Sequence, residues 1–130
     1  MIKGFFPGCW DLVHAGHVLA FMEAKKSCDK LIVGIEEDPS IDRPDKSRPI
    51  LTVSERLTVI QAIRYVDEVI TYSGEDELEA LDRELEYDVR FIGEDHRGKL
   101  FRPILNRKIV YVSRRHNFSS TSLRRRLLEA

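Results

Sequence analysis

Leu31-Ile32-Val33-Gly34-Ile35 is an unbroken apolar run, and a strand without polar alternation has to be covered on both faces. A sheet with one face in water cannot provide that, whereas a parallel sheet with helices above and below it can. The neighbouring segments supply the helices. Val18–Lys26 carries Val18, Phe21, Met22 and Lys25 at helical spacing. Thr52-Val53-Ser54-Glu55 is a capping-box pattern that opens a second helix through Leu57, Ile60 and Ile63. Ile2–Phe6 is a β-prone run closed by Pro7-Gly8. Glu68–Tyr72, Val89–Ile92 and Ile109–Val112 read as three further strands, and Glu75–Leu85 reads as a helix between the first two. Ser119–Glu129 closes the chain as a helix with a hydroxyl-rich start.

Strands alternating with helices at this spacing predict an α/β fold, a Rossmann-like three-layer sandwich around a mainly parallel five-stranded sheet. At 130 residues the expectation is one domain over 1–130. The chain is 42% hydrophobic and 33% charged, an ordinary composition for a water-soluble protein. It shows neither a bilayer-length apolar run nor a signal-peptide pattern, so a cytoplasmic protein without a membrane partner is expected. Lys+Arg number 21 against 22 Asp+Glu; no global positive field recommends nucleic acid, and any anion site has to be local. Cys9 and Cys28 are read as free thiols.

In open α/β sheets ligands bind beyond the carboxyl ends of the strands. There the sequence places four polar segments: Pro7–His17 after the first strand, Asp38–Pro49 after the second, Gly93–Lys99 after the fourth and Ser113–Thr121 after the fifth. His14 and His17 are three apart at a helix start, where side chains share a face and the first N–H groups lack helical partners. Imidazole donors beside a helix N-terminus suit phosphate. Gly16 and Gly8 are expected to let a ligand approach the backbone. A metal site built from Cys9, His14 and His17 is the rival reading, although no further nearby Cys, Asp or Glu completes a ligand set. Two surface or core histidines are the plainer one.

The run Gly8-Cys9-Trp10-Asp11-Leu12-Val13-His14-Ala15-Gly16-His17 resembles the His-x-Gly-His signature of the nucleotidyltransferase superfamily, in particular its cytidylyltransferase family. Arg64–Ile70, Gly93–Lys99 and Ser119-Ser120-Thr121 resemble segments of the glycerol-3-phosphate members, in the same order and at nearly the same spacing. The resemblance implies that His14 and His17 touch the triphosphate and stabilise the transition state, with Lys46 and Arg114 as further catalytic cations. It implies nucleotide contacts from Gly8, Cys9, Trp10, Gly16, Arg64, Gly93, Asp95, Ser119, Ser120 and Thr121. Asp11, Lys46, Arg114 and Arg115 would face the acceptor. Mg2+ carried by the triphosphate and a homodimer with Tyr65–Val69 at its contact are implied as well.

The activity so implied is transfer of CMP from CTP to a small phosphorylated alcohol such as glycerol 3-phosphate, with release of pyrophosphate. Cys9 stands where the glycerol-3-phosphate members carry Thr, His96 replaces Trp and Arg115 replaces Thr. The loop Arg43–Ile50 is shaped more like that of sugar-phosphate adenylyltransferases. ATP-dependent transfer to a sugar phosphate or a cofactor precursor therefore stands as the alternative, and a non-catalytic nucleotide-binding module as a third.

Overall fold

A computed structural model describes residues 1–96, 107–113 and 118–130. The elements follow in the order β1 (Lys3–Gly8), α1 (Ala15–Lys25), β2 (Lys30–Glu36), α2 (Val53–Gln61), β3 (Glu68–Tyr72), α3 (Glu75–Glu84), β4 (Val89–Gly93), a 3₁₀ turn (Glu94–His96), β5 (Lys108–Val112) and α4 (Ser120–Glu129). The five strands form one sheet in the order β3-β2-β1-β4-β5, and every pairing is parallel.

The jump from β3 across two strands to β4 sends α3 to the face opposite α1 and α2, which makes the three layers. Side chains alternate accordingly. On the α1 and α2 side Phe6, Leu31, Val33, Ile35, Val89, Phe91 and Val112 pack with Phe21, Ala24 and Ile60. On the α3 side Phe5, Ile32 and Tyr87 pack with Ile70, Leu78 and Leu85. The strand order reverses beside β1, so the carboxyl ends of β1 and β4 open a crevice between their outgoing loops.

β1 continues through Pro7 to Gly8 rather than stopping at Phe6. Pro7 costs no hydrogen bond on the β4 side, because the β1–β4 ladder pairs only Gly4 and Phe5. α1 begins at Ala15, three residues ahead of the apolar period; the small Ala15 and Gly16 hid its first turn. α2 carries the capping box its sequence announces, with the Thr52 hydroxyl accepting from Glu55 N–H at 3.1 Å and the Glu55 carboxylate accepting from Thr52 N–H at 3.0 Å. Among the described residues no helix is long and apolar enough to cross a membrane.

Candidate active site

A cavity of about 610 Å³ lies over the carboxyl ends of the strands, and both His14–His17 and Ser119–Thr121 border it. The starts of α1 and α4 thus meet at one crevice, each bringing the positive end of its dipole. Lys46, Gly93 and Asp95 line the same space.

The two imidazoles stack at 3.9 Å between ring centroids, 24° from parallel. His14 caps its own helix: its Nδ1 accepts from Gly16 N–H at 2.9 Å, and His17 Nδ1 accepts from His14 N–H at 3.3 Å. A ring nitrogen that accepts carries no proton, so in each neutral imidazole the N–H is at Nε2. The helix start therefore differs from the expected one. Two of its first N–H groups are taken, Gly16 N–H by His14 Nδ1 and His17 N–H by the His14 carbonyl at 3.0 Å. This helix start brings two imidazoles to the cavity and fewer bare backbone N–H groups than expected.

Behind His17 stands Trp10, edge-on to its ring at 5.4 Å and edge-on to Phe6 at 4.8 Å. The Trp10 indole N–H donates to the Gly34 carbonyl at 2.9 Å. Trp10 and Leu12 adopt φ of 56° and 51°, a region non-glycine residues seldom enter and which surrounding contacts must hold. A side chain at Gly8 would come within 2.9 Å of the indole. Gly8 is required by Trp10, so its missing side chain is not simply an opening for ligand.

Polar bonds lock the loops around this wall. Asp11 spends both carboxylate oxygens, accepting from Ile50 N–H at 3.0 Å, Leu51 N–H at 2.9 Å and the Arg124 guanidinium at 3.0 Å. Burial would raise its carboxyl, but those N–H groups and Arg124 outweigh burial and hold it below the ordinary carboxylate range. The Ser120 hydroxyl donates to the Asp11 carbonyl at 2.8 Å, and the N-cap of α4 is Ser119, whose hydroxyl accepts from Ser122 N–H at 3.0 Å. Arg56, 1% exposed, donates to the carbonyls of Cys9, Leu51, Glu36 and Glu37 at 2.6–3.1 Å. One guanidinium so ties the ends of β1 and β2 to the start of α2. Burial, opposed by Arg56, pushes the Cys9 thiol beside it up to about 11.

The sequence-derived set thus divides. His14, Gly16, His17, Gly8, Cys9, Trp10, Lys46, Gly93, Asp95, Ser119, Ser120 and Thr121 are brought to the cavity. Arg64 is not: it is exposed between α2 and β3, at the amino-terminal edge of the sheet, so within one chain it cannot touch a ligand at the opposite edge. Asp11 is committed to the loops and is not available to an acceptor. Arg114 and Arg115 lie outside the described residues. Among the described residues no cluster of three or more His, Cys, Asp and Glu is placed to hold a metal. Sequence reasoning missed Arg56, Glu36, Arg43, Tyr72 and Arg90. Two signals were there: Arg56 shares the period of Ile60 and Ile63 on an apolar face, and Arg90 is a charge inside Val89–Ile92.

Residues 5–126 match the model of the cytidylyltransferase-like family. The chain belongs to that family. It is 41% identical over 95 residues to the bifunctional protein HldE of Gluconacetobacter diazotrophicus and 38% identical over 94 residues to that of Paramagnetospirillum magneticum; 72% of this chain and 19% of each relative are covered. The chain spans about a fifth of the length of these curated relatives. Among solved structures it is similar to the lipopolysaccharide core biosynthesis protein of Thermoplasma volcanium, with a TM-score of 0.73 and 27% identity over 89% of this chain and 99% of that one. Family membership makes this a nucleotidyltransferase fold, and the relatives just named are HldE proteins.

Proposed function

We propose that the chain transfers a nucleoside monophosphate from a nucleoside triphosphate to a small phosphorylated alcohol or sugar. The observation that carries the reading is the stacked histidine pair, with Nε2 as the protonated nitrogen of each neutral ring, on a cavity it shares with the hydroxyl-rich start of α4. An acceptor phosphomonoester has a second pKa of about 6, so near neutrality it is a nucleophile needing no general base. One of its oxygens bonds to the α-phosphorus as the bond from that phosphorus to the β-phosphate oxygen breaks, and the electron pair leaves on pyrophosphate. The protein's part is alignment and charge dispersal. His14 and His17 donate to the α- and β-phosphate oxygens, Lys46 adds a cation, and Thr121 adds a hydroxyl at the dipole end of α4.

Mg2+ belongs to the proposal as a companion of the triphosphate, since magnesium commonly relies on substrate oxygens and water. CTP is the donor supported by the family description and by the Arg64–Ile70 and Gly93–Lys99 resemblance. ATP with a sugar phosphate is the second reading, supported by the Arg43–Ile50 loop and by a structural neighbour named for building a lipopolysaccharide core, which is a sugar chain. A homodimer, through Tyr65–Val69, is proposed with either, and light scattering tests it. Pyrophosphate release measured with CTP and with ATP against a panel of phosphorylated acceptors tests the whole reading. Turnover with at least one pair is expected, and none with any pair contradicts it.

A further inference from the structure

The cavity has a second half that the phosphate chemistry leaves unused. Glu36 follows Ile32 and Gly34 along the α3 face of β2, and with Arg43, Tyr72, Glu75, Asp82 and Arg90 it lines a chamber between the sheet and α3. Glycine at position 34 keeps the base of the chamber in shape, because a side chain there would meet the Phe5 and Tyr72 rings at 3.0 and 3.2 Å.

Three of these side chains are nine-tenths buried and charged: Glu36 is 3% exposed, Asp82 5% and Arg90 9%. Their known partners are internal. Glu36 Oε1 accepts from Arg43 at 2.7 Å, and Asp82 accepts from Arg90 at 3.3 Å and from the Tyr87 hydroxyl. Yet Glu36 Oε2, Arg43 Nε and Arg90 Nε are buried with no hydrogen-bond partner among the described residues. Of the five such atoms in the described residues, three belong to this one chamber, the others being Arg107 Nε and Arg124 Nε. Native proteins leave few buried polar groups unsatisfied, and each exception calls for a group that completes its bonding; three of them facing one chamber are placed for a shared polar ligand.

Resting on the nucleotidyl-transfer reading above, we infer that this chamber reads the hydroxyl groups of the acceptor, which is therefore a polyhydroxylated phosphate of sugar size, and that Glu36 and Arg90 are specificity-determining residues. An alcohol hydroxyl both donates and accepts, so neighbouring hydroxyls answer a carboxylate oxygen and a guanidinium N–H together. An ammonium head group fits worse. It only donates, so it can answer Glu36 Oε2 but leaves Arg43 Nε–H and Arg90 Nε–H without an acceptor.

Initial rates of pyrophosphate release with CTP and with ATP test the inference, for the wild-type chain and for Glu36→Gln and Arg90→Lys. The acceptors are glucose 1-phosphate, mannose 1-phosphate, glycerol 3-phosphate and ethanolamine phosphate. Glu36→Gln keeps an oxygen for Arg43 and turns the second oxygen into a donor; Arg90→Lys keeps a cation for Asp82 and removes Nε. Circular dichroism reports folding, and the two variants cover one another should one fail to fold. The wild type is expected to favour an aldose 1-phosphate over ethanolamine phosphate in kcat/KM. Each folded variant is expected to raise the aldose phosphate KM by about tenfold to a hundredfold, the effect of losing one hydrogen bond to a charged group. The nucleotide KM and the melting shift given by nucleotide alone should stay at wild-type values. A wild-type preference for ethanolamine phosphate, or folded variants with unchanged acceptor KM, overturns the inference while leaving nucleotidyl transfer standing. No pyrophosphate with any pair removes both.

Discussion

His14 and His17 do two jobs at once at the level of single side chains. Their Nδ1 atoms cap α1, and the caps set the protons at Nε2. His14→Ala is therefore expected to lower stability by about 1 kcal/mol, the usual loss for an N-cap, alongside its effect on rate. At the other helix start the roles separate. Ser119→Ala removes the α4 cap and should cost about 1 kcal/mol in urea unfolding with little change in nucleotide affinity. Ser120→Ala removes the bond to the Asp11 carbonyl that joins α4 to the first loop, so it should weaken nucleotide binding measured by calorimetry. If the two variants behave alike, this division of labour is wrong. Cys9 gives a third check at this scale. Thiolate is the reactive form, and a thiol pushed up to about 11 should be alkylated far more slowly at pH 8 in the native chain than in urea. Peptide mapping after iodoacetamide reads this directly, and rapid native labelling at pH 8 would contradict it.

The elements are held at the cavity by buried charge. Arg56 serves four carbonyls from three segments, so Arg56→Met strands them without donors. Breaking such a buried network typically costs about 3–5 kcal/mol, and urea midpoints should show a loss of that size; a loss below 1 kcal/mol would mean that water replaces the guanidinium easily. Acid should act through Asp11 and Asp67. Burial works to raise Asp67, but the Lys25 ammonium and Leu31 N–H outweigh it and, as with Asp11, leave the carboxyl below its ordinary range. A lowered folded value means that the stabilisation is complete above the unfolded pKa of about 3.9 and is lost as pH falls through the lower folded value. Glu36 has the opposite sign: burial, opposed by Arg43, raises it, so protonation there favours the folded state as pH falls through the raised value. Urea midpoints should therefore fall steeply only below about pH 4, and Asp67→Asn should flatten that fall. A fall of equal steepness in the variant would place the acid sensitivity elsewhere.

Across the whole molecule, layers and helix order were legible because Leu31–Ile35 demands cover on both faces and because the strands alternate with segments of helical period. The crevice was legible from topology, and the histidine pair from its motif. Partnering was not. Sequence spacing cannot show that His14 would spend Nδ1 on Gly16 N–H, that Trp10 would fill the room beside Gly8, or that Asp11 would reach Leu51 forty residues away. The α3-side chamber was hidden for a related reason. Glu36 ends an apolar strand and Arg90 interrupts another, and only the register that sets both beneath α3 turns two isolated charges into a site. Arg64 shows the converse, since a motif match carried it to a cavity that the fold places at the other edge of the sheet. In the proposed reaction the imidazoles bind charge that develops in the transition state. Removing one preorganised donor from such a site costs on the order of a hundredfold to a thousandfold in rate, with less effect on ground-state binding. The deciding measurement is kcat for His14→Ala and His17→Ala at saturating nucleotide and acceptor, after circular dichroism has confirmed the fold. A loss of at least about a hundredfold in kcat, with nucleotide KM changed much less, is the predicted result, and near-normal kcat in both folded variants would contradict it.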